Sequence, residues 1–102
     1  MENLEITKEI DGTAETLTLT GRLSIVTSPQ LMTEVDEIAP SIKMLRFVMP
    51  KVEYVSSAGL RVIVAAQKKM SSSGGSLEIV NPTAEIIELF DMTGLKDVLT
   101  IK

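Results

Sequence analysis

Polar and apolar residues alternate from Leu4 to Ile10, and again over Glu15-Thr16-Leu17-Thr18-Leu19-Thr20. A period of two is the signature of strands with one face turned inward. Asp11-Gly12 between the runs is a turn signal. The two runs predict an antiparallel pair, joined by a loop longer than a minimal hairpin. At Ser28 the period changes. Leu31, Val35 and Ile38 fall at i, i+4 and i+7. They follow Ser28-Pro29, a capping hydroxyl and then a residue that loses nothing by lacking an N–H at the first helical position, and Pro40 closes the segment. Met44 to Met49, with Leu45, Phe47 and Val48, reads as a mostly buried strand. A second helix is expected from about Ser57, with Leu60, Ile63, Val64 and Met70 inside and Arg61 and Lys68 outside. Gly74-Gly75 ends it and releases a short strand, Leu77 to Val80. Asn81-Pro82 repeats the cap-plus-proline signal. Ile86, Ile87, Leu89 and Phe90 then give a third helix its apolar face, with Glu85 and Glu88 outside. Thr93-Gly94-Leu95 stops that helix before a short final element through Val98-Leu99. The order ββαβαβα predicts an α/β fold, a mixed sheet packed against helices through right-handed crossovers. Residues 1–102 are expected to form one domain.

Composition narrows the chemistry more than the fold. The chain has no Cys, which excludes disulfides, thiolate metal sites and cysteine nucleophiles. It has no His, which removes the commonest general base and transition-metal ligand. No catalytic residue, metal site or cofactor is expected. Only Phe47, Tyr54 and Phe90 are aromatic, so the core must come from Leu, Ile, Val, Met and Ala. The net charge is −4 and the ten basic residues are scattered, with no basic stripe to follow a phosphate backbone. Direct nucleic-acid binding is not expected. The longest apolar run, Val62 to Ala66, is too short to span a bilayer, and the acidic N-terminus lacks a signal peptide's apolar stretch. The expectation is a soluble cytoplasmic protein.

The most informative stretch is Tyr54-Val55-Ser56-Ser57-Ala58-Gly59-Leu60-Arg61-Val62. A polar loop there runs into an apolar helix, with two serines at the junction. Free backbone N–H groups and the helix dipole favour a capping hydroxyl or an added phosphate at such a point. One reading is that Ser56 or Ser57 caps the helix; the other is that the hydroxyl is a regulatory site. Gly59 adds no side chain, so a partner could approach the backbone closely. Val62 and Ala65, outside the expected inner stripe, are either covered by neighbouring helices or part of an apolar docking face. Glu34, Asp36 and Glu37 read as a solvated face of the first helix.

This stretch resembles the signature of the STAS domain family, typified by bacterial anti-sigma factor antagonists. Leu19-Thr20-Gly21-Arg22-Leu23 with Ser28-Pro29, the strand Leu45 to Met49, and Gly74-Gly75 fit the same family, in the same order. So does Asn81-Pro82 followed by Leu89-Phe90-Asp91-Met92-Thr93-Gly94-Leu95. The resemblance implies a protein that binds an anti-sigma factor, often a serine kinase with an ATPase fold, and so frees a sigma factor. It implies phosphorylation by that kinase at Ser57 and resetting by a phosphatase, with ATP a substrate of the partner. Ser24, Ser56, Ser57, Ala58, Gly59 and Arg61 become the expected partner-binding residues. Three positions that are often acidic in switching members are neutral here: Ser24, Met49 (with Pro50) and Ser56. Fewer like charges would then surround a phosphate on Ser57. The same resemblance leaves room for a scaffold that no kinase modifies, or for a cytoplasmic subunit of a lipid or anion transporter.

Overall fold

The computed structural model describes residues 3–102. Strand β1 (Leu4–Asp11) pairs antiparallel with β2 (Ala14–Leu23). The chain continues through α1 (Ser28–Asp36), β3 (Met44–Val55), α2 (Ser57–Ser72), β4 (Ser76–Val80) and α3 (Ala84–Met92). A 3-10 turn at Leu95–Asp97 leads into β5 (Thr100–Ile101). The sheet order is β1-β2-β3-β4-β5, with β2 to β5 mutually parallel. From β2 onward, each strand joins the next beside it through a helical crossover. Right-handed connections in a monotonic order place α1, α2 and α3 on one side of the sheet. Burial follows that layering: Leu17, Leu19, Leu45, Phe47, Met49, Leu77 and Ile79 point into the helical layer and are almost wholly buried. Their neighbours Thr16, Thr18, Arg46, Val48, Glu78 and Val80 are half-buried on the other face.

The α/β class and the mixed sheet agree with the sequence pattern, and several boundaries do not. Asp11 pairs with Ala14, so the β1–β2 connection is a two-residue hairpin, made possible by Gly12 at φ +60°. β1 runs one residue past its alternation, to Asp11, and β2 outruns Glu15–Thr20 by one residue at its start and three at its end. β3 does not end at Met49; it bulges past Pro50 and continues to Val55. The cap of α1 is Thr27, with Ser28 buried inside the first turn and Pro29 following it. The cap of α3 is Thr83, whose hydroxyl accepts from the Ile86 N–H at 3.3 Å, while Asn81 turns the chain at φ +53°. A fifth strand, only two residues long, extends the expected order.

The inner face of α2 is also rotated from expectation. Its buried residues are Gly59, Val62, Ile63, Ala66 and Met70, whereas Leu60, Val64 and Ala65 are half-exposed. Gly59 sets this rotation. A Cβ there would lie 2.8 Å from Leu23 Cγ and 2.9 Å from the Leu23 carbonyl oxygen. Only a bare Cα allows the helix to seat this close, and positions 62, 63, 66 and 70 follow from it at helical spacing.

At the far end of the sheet, the alternation of β2 carries one carboxylate inward. Glu15 is 3% exposed, beside Lys8, Glu34 and Lys69. Lys8 Nζ lies 3.3 Å from Glu34 Oε1, and Lys69 Nζ donates to the carbonyls of Val35 (2.7 Å) and Asp36 (3.2 Å). The α2 lysine thus serves the negative end of α1, which has no basic residue in its own last turn. Burial raises the Glu15 pKa above its ordinary value, Lys8 and Lys69 oppose the rise, and Glu34 adds to it. A raised folded-state pKa means that this group's contribution to stability is complete below the ordinary carboxylate range. It is lost as pH rises through the folded value. Glu15→Gln is therefore expected to raise Tm at pH 7, with the advantage shrinking as pH falls toward the ordinary value. Thermal melts of both proteins across that range check it; a Tm lowered at pH 7 would mean that the two lysines outweigh the burial cost.

Candidate functional site

The C-terminal ends of β2 and β3 meet the start of α2, and there the motif residues converge. Ser56 N–H donates to the Leu23 carbonyl at 2.8 Å, tying the two strand ends together. Ser56 is the N-cap of α2: in an extended conformation, its hydroxyl accepts from the Gly59 N–H at 3.1 Å. The capping task is thereby discharged by Ser56, and Ser57 is the first residue of the helix, with its side chain exposed. Among the described residues the Ser57 hydroxyl has no hydrogen-bond partner. Ala58 beside it is half-buried, and Arg61, one turn on, is exposed.

Two expected contact residues are not available on the surface. Gly59 is buried against Leu23, so its missing side chain serves the approach of α2 to β2 and not of a partner. Ser24 is 2% exposed. Its hydroxyl accepts from the Val26 and Thr27 N–H groups (3.2 and 3.3 Å), and its own N–H donates to Thr27 Oγ1 at 2.9 Å. Thr27 Oγ1 in turn donates to the Arg22 carbonyl at 2.6 Å. A serine at 24 is thus a hinge pin of the β2–α1 loop. Met49 is likewise wholly inside the core, so the neutral residue there is a packing group and not a missing surface charge.

What that pinned loop presents is absent from the sequence expectations. Ile25 is 75% exposed and Val26 68% exposed. Two adjacent β-branched side chains stand in water on a short loop whose backbone is fixed on both sides. Leu23, at the end of β2, contacts both Ser56 and Gly59, so the β2–α1 loop that carries Ile25 and Val26 leaves the sheet at the end where α2 begins with Ser57. Tyr54 completes this end of the molecule, 41% exposed, with the Arg22 guanidinium 4.4 Å from its ring centroid. The signal that could have found the pair is a doublet of large apolar residues between a strand end and a helix cap, outside either period.

No helix among the described residues is long and apolar enough to cross a membrane. No group of three or more acidic side chains able to hold a metal ion occurs among them either.

Comparison with known proteins fits this arrangement. Over 83 residues, 81% of this chain and 76% of the relative, the sequence is 35% identical to the anti-sigma-B factor antagonist of Bacillus subtilis strain 168. An anti-sigma factor antagonist from Mycobacterium paratuberculosis shares the fold with a TM-score of 0.79 at 23% identity, over 97% of this chain and 85% of that one. The Bacillus cell fate determinant SpoIIAA, solved in its phosphorylated form, does so with a TM-score of 0.76 at 14% identity, over 96% and 91%. Residues 5–102 match the model of the STAS domain, and the chain belongs to the STAS domain family.

Proposed function

We propose that this protein is an anti-sigma factor antagonist that binds an ATPase-fold anti-sigma kinase through the end of the molecule around Ser57, and is released when that kinase phosphorylates Ser57. The observation that carries the reading is the division of labour between two adjacent serines. Ser56 caps α2, which leaves the Ser57 hydroxyl exposed and free of any structural task among the described residues. The relatives named above as antagonists support the same role. That a SpoIIAA structure exists in phosphorylated form supports the gating.

The chemistry needs nothing from this chain beyond the hydroxyl. Ser57 Oγ attacks the γ-phosphorus of ATP held by the partner, its proton passes to a base on that partner, and ADP departs. The product carries about −1.5 to −2 charges at neutral pH. On the same end of the molecule as the exposed Ile25 and Val26, that charge would have to be buried in the interface for the complex to persist, which is costly for an unpaired ion. The helix start itself tolerates the phosphate, because α2 has no acidic residue in its first turn and its dipole favours an anion there. Modification then ends association while leaving the fold intact.

Incubation with the host's anti-sigma kinase and ATP is expected to add about 80 Da, one phosphoryl group, to Ser57. Ser57→Ala should abolish the addition. Ser57→Asp should weaken the complex at least about tenfold, equivalent to roughly 1.4 kcal/mol. An unmodified Ser57, together with unchanged affinity of Ser57→Asp, would replace this reading by a constitutive antagonist.

A further inference from the structure

The outward rotation of α2 leaves a shallow groove of about 360 Å³ lined by Leu60, Arg61, Val64, Ala65 and Lys68. It begins one turn beyond Ser57 and runs along the exposed side of the helix. Leu60, Val64 and Ala65 form a half-exposed apolar floor. Arg61 and Lys68 stand at its two ends, seven residues apart, which is about 10 Å along a helix. Among the described residues neither cation has a carboxylate partner. The charge pattern around them is uneven. α2 holds Arg61, Lys68 and Lys69 and no acidic residue, in a chain whose net charge is −4. α1 carries Glu34 and Asp36 with Glu37 just beyond, and α3 carries Glu85, Glu88 and Asp91. Lys69 is spent on the end of α1, so Arg61 and Lys68 are the two that face outward.

The geometry points to this groove as a docking site for an amphipathic segment of the anti-sigma partner that sets an apolar ridge between carboxylates. It rests on the function proposed above and adds the chemistry of the partner's face. A floor of three aliphatic residues asks for apolar side chains, and two unpaired cations at its ends ask for anions about two helical turns apart. A basic partner would meet like charge at both ends. The same spacing sets Arg61 at i+4 from Ser57, within reach of a phosphate there. Phosphorylation would draw one of the two cations away from the partner while adding negative charge.

The test is binding of the full chain to the purified host anti-sigma kinase, measured at low and high salt. Arg61→Glu with Lys68→Glu is expected to weaken binding about thirtyfold or more and to flatten the salt dependence seen with the wild-type protein. Val64→Asp should weaken binding to a similar extent, and Glu88→Lys on α3 should leave it unchanged. All four positions are at least partly exposed, and thermal melts identify any variant that has lost its fold. Affinity that is unchanged or tightened by the charge reversal overturns the inference, even if Ser57→Asp still releases the partner and the proposed function stands. Loss of binding in the charge reversal with no effect of Ser57→Asp keeps the groove and removes the gating. A wild-type protein that does not bind the kinase at all overturns both.

Discussion

Gly59→Val should lower Tm by roughly 12–24 °C, corresponding to about 3 kcal/mol at 4–8 °C per kcal/mol for a domain of this size. Two effects of opposite sign meet at this position. Within a helix, replacing Gly by a residue with a side chain gains up to about 1 kcal/mol of backbone entropy. Against that, a Cβ here falls 2.8 Å from Leu23 Cγ and 2.9 Å from the Leu23 carbonyl oxygen. The oxygen cannot withdraw freely, since it accepts the Ser56 N–H that ties β2 to the start of α2. Leu23 is fully buried and has no room to rotate away. The helix must shift outward, which loosens Val62, Ile63 and Ala66 from the core together. Valine adds two methyl groups to the clash, so the steric term wins. Gly59→Ala is the sharper check, being the variant in which the entropic gain is largest and the added volume smallest. It should still destabilise, by about 1–2 kcal/mol. An alanine variant that melts higher than the wild type would mean that the approach of α2 to β2 is not as tight as these distances require.

The same glycine explains where the sequence was readable and where it was not. Alternation over Glu15–Thr20 marks β2, because a half-covered sheet forces period two on the chain, and the apolar run Met44 to Met49 marks β3 as a mostly buried strand. In the structure Glu15, in phase with Leu17 and Leu19, is buried on their face. Helix faces are harder. The stripe of large apolar residues at helical spacing puts Leu60, Ile63, Val64 and Met70 inside, but the rotation of α2 is fixed by its smallest residue, Gly59, which seats against Leu23. Caps slipped by one or two positions for a related reason. Ser28 and Asn81 have the right chemistry, yet Thr27 and Thr83 occupy the cap positions, chosen by loop contacts such as the Thr27 bond to the Arg22 carbonyl. Two residues of β5 are too few to show a period. In the site, the Ser56-Ser57 pair reads as a cap or a switch, and the extended backbone at Ser56, which no side-chain pattern encodes, gives the cap to Ser56. Ser24 is a partner-binding residue only by the family resemblance, and in the fold it is the buried pin of its loop. Ile25 and Val26 follow neither period, and only their place between a strand end and a helix start sets them apart.

That pair should show an effect on binding as large as the one Gly59 has on folding. Ile25→Asp combined with Val26→Asp is expected to lower affinity for the anti-sigma kinase at least about a hundredfold while moving Tm by no more than a few degrees. Fully burying an Ile or Val side chain is worth about 1.5–3 kcal/mol, so two that are 75% and 68% exposed supply about 2–4 kcal/mol on docking, against the roughly 2.7–4.1 kcal/mol of a hundredfold to thousandfold change. Carboxylates in their place forfeit that gain and add a desolvation cost. The free protein, by contrast, already holds both side chains in water, 75% and 68% exposed, so their loss costs the fold little. The loop conformation does not depend on them, since Ser24, Thr27 and the Arg22 carbonyl hold it through their own hydrogen bonds. Holding a loop rigid while it exposes two aliphatic groups lowers the entropy lost on docking, which is a reason for such a pin to exist at this end of the sheet. Calorimetric titration and a thermal melt of the same preparation separate the outcomes. Unchanged affinity would place the partner's contact elsewhere and leave the exposed doublet without a role in docking. A melt lowered by ten degrees or more would show that the two side chains support the fold, and binding lost along with it would then say nothing for an interface at this loop.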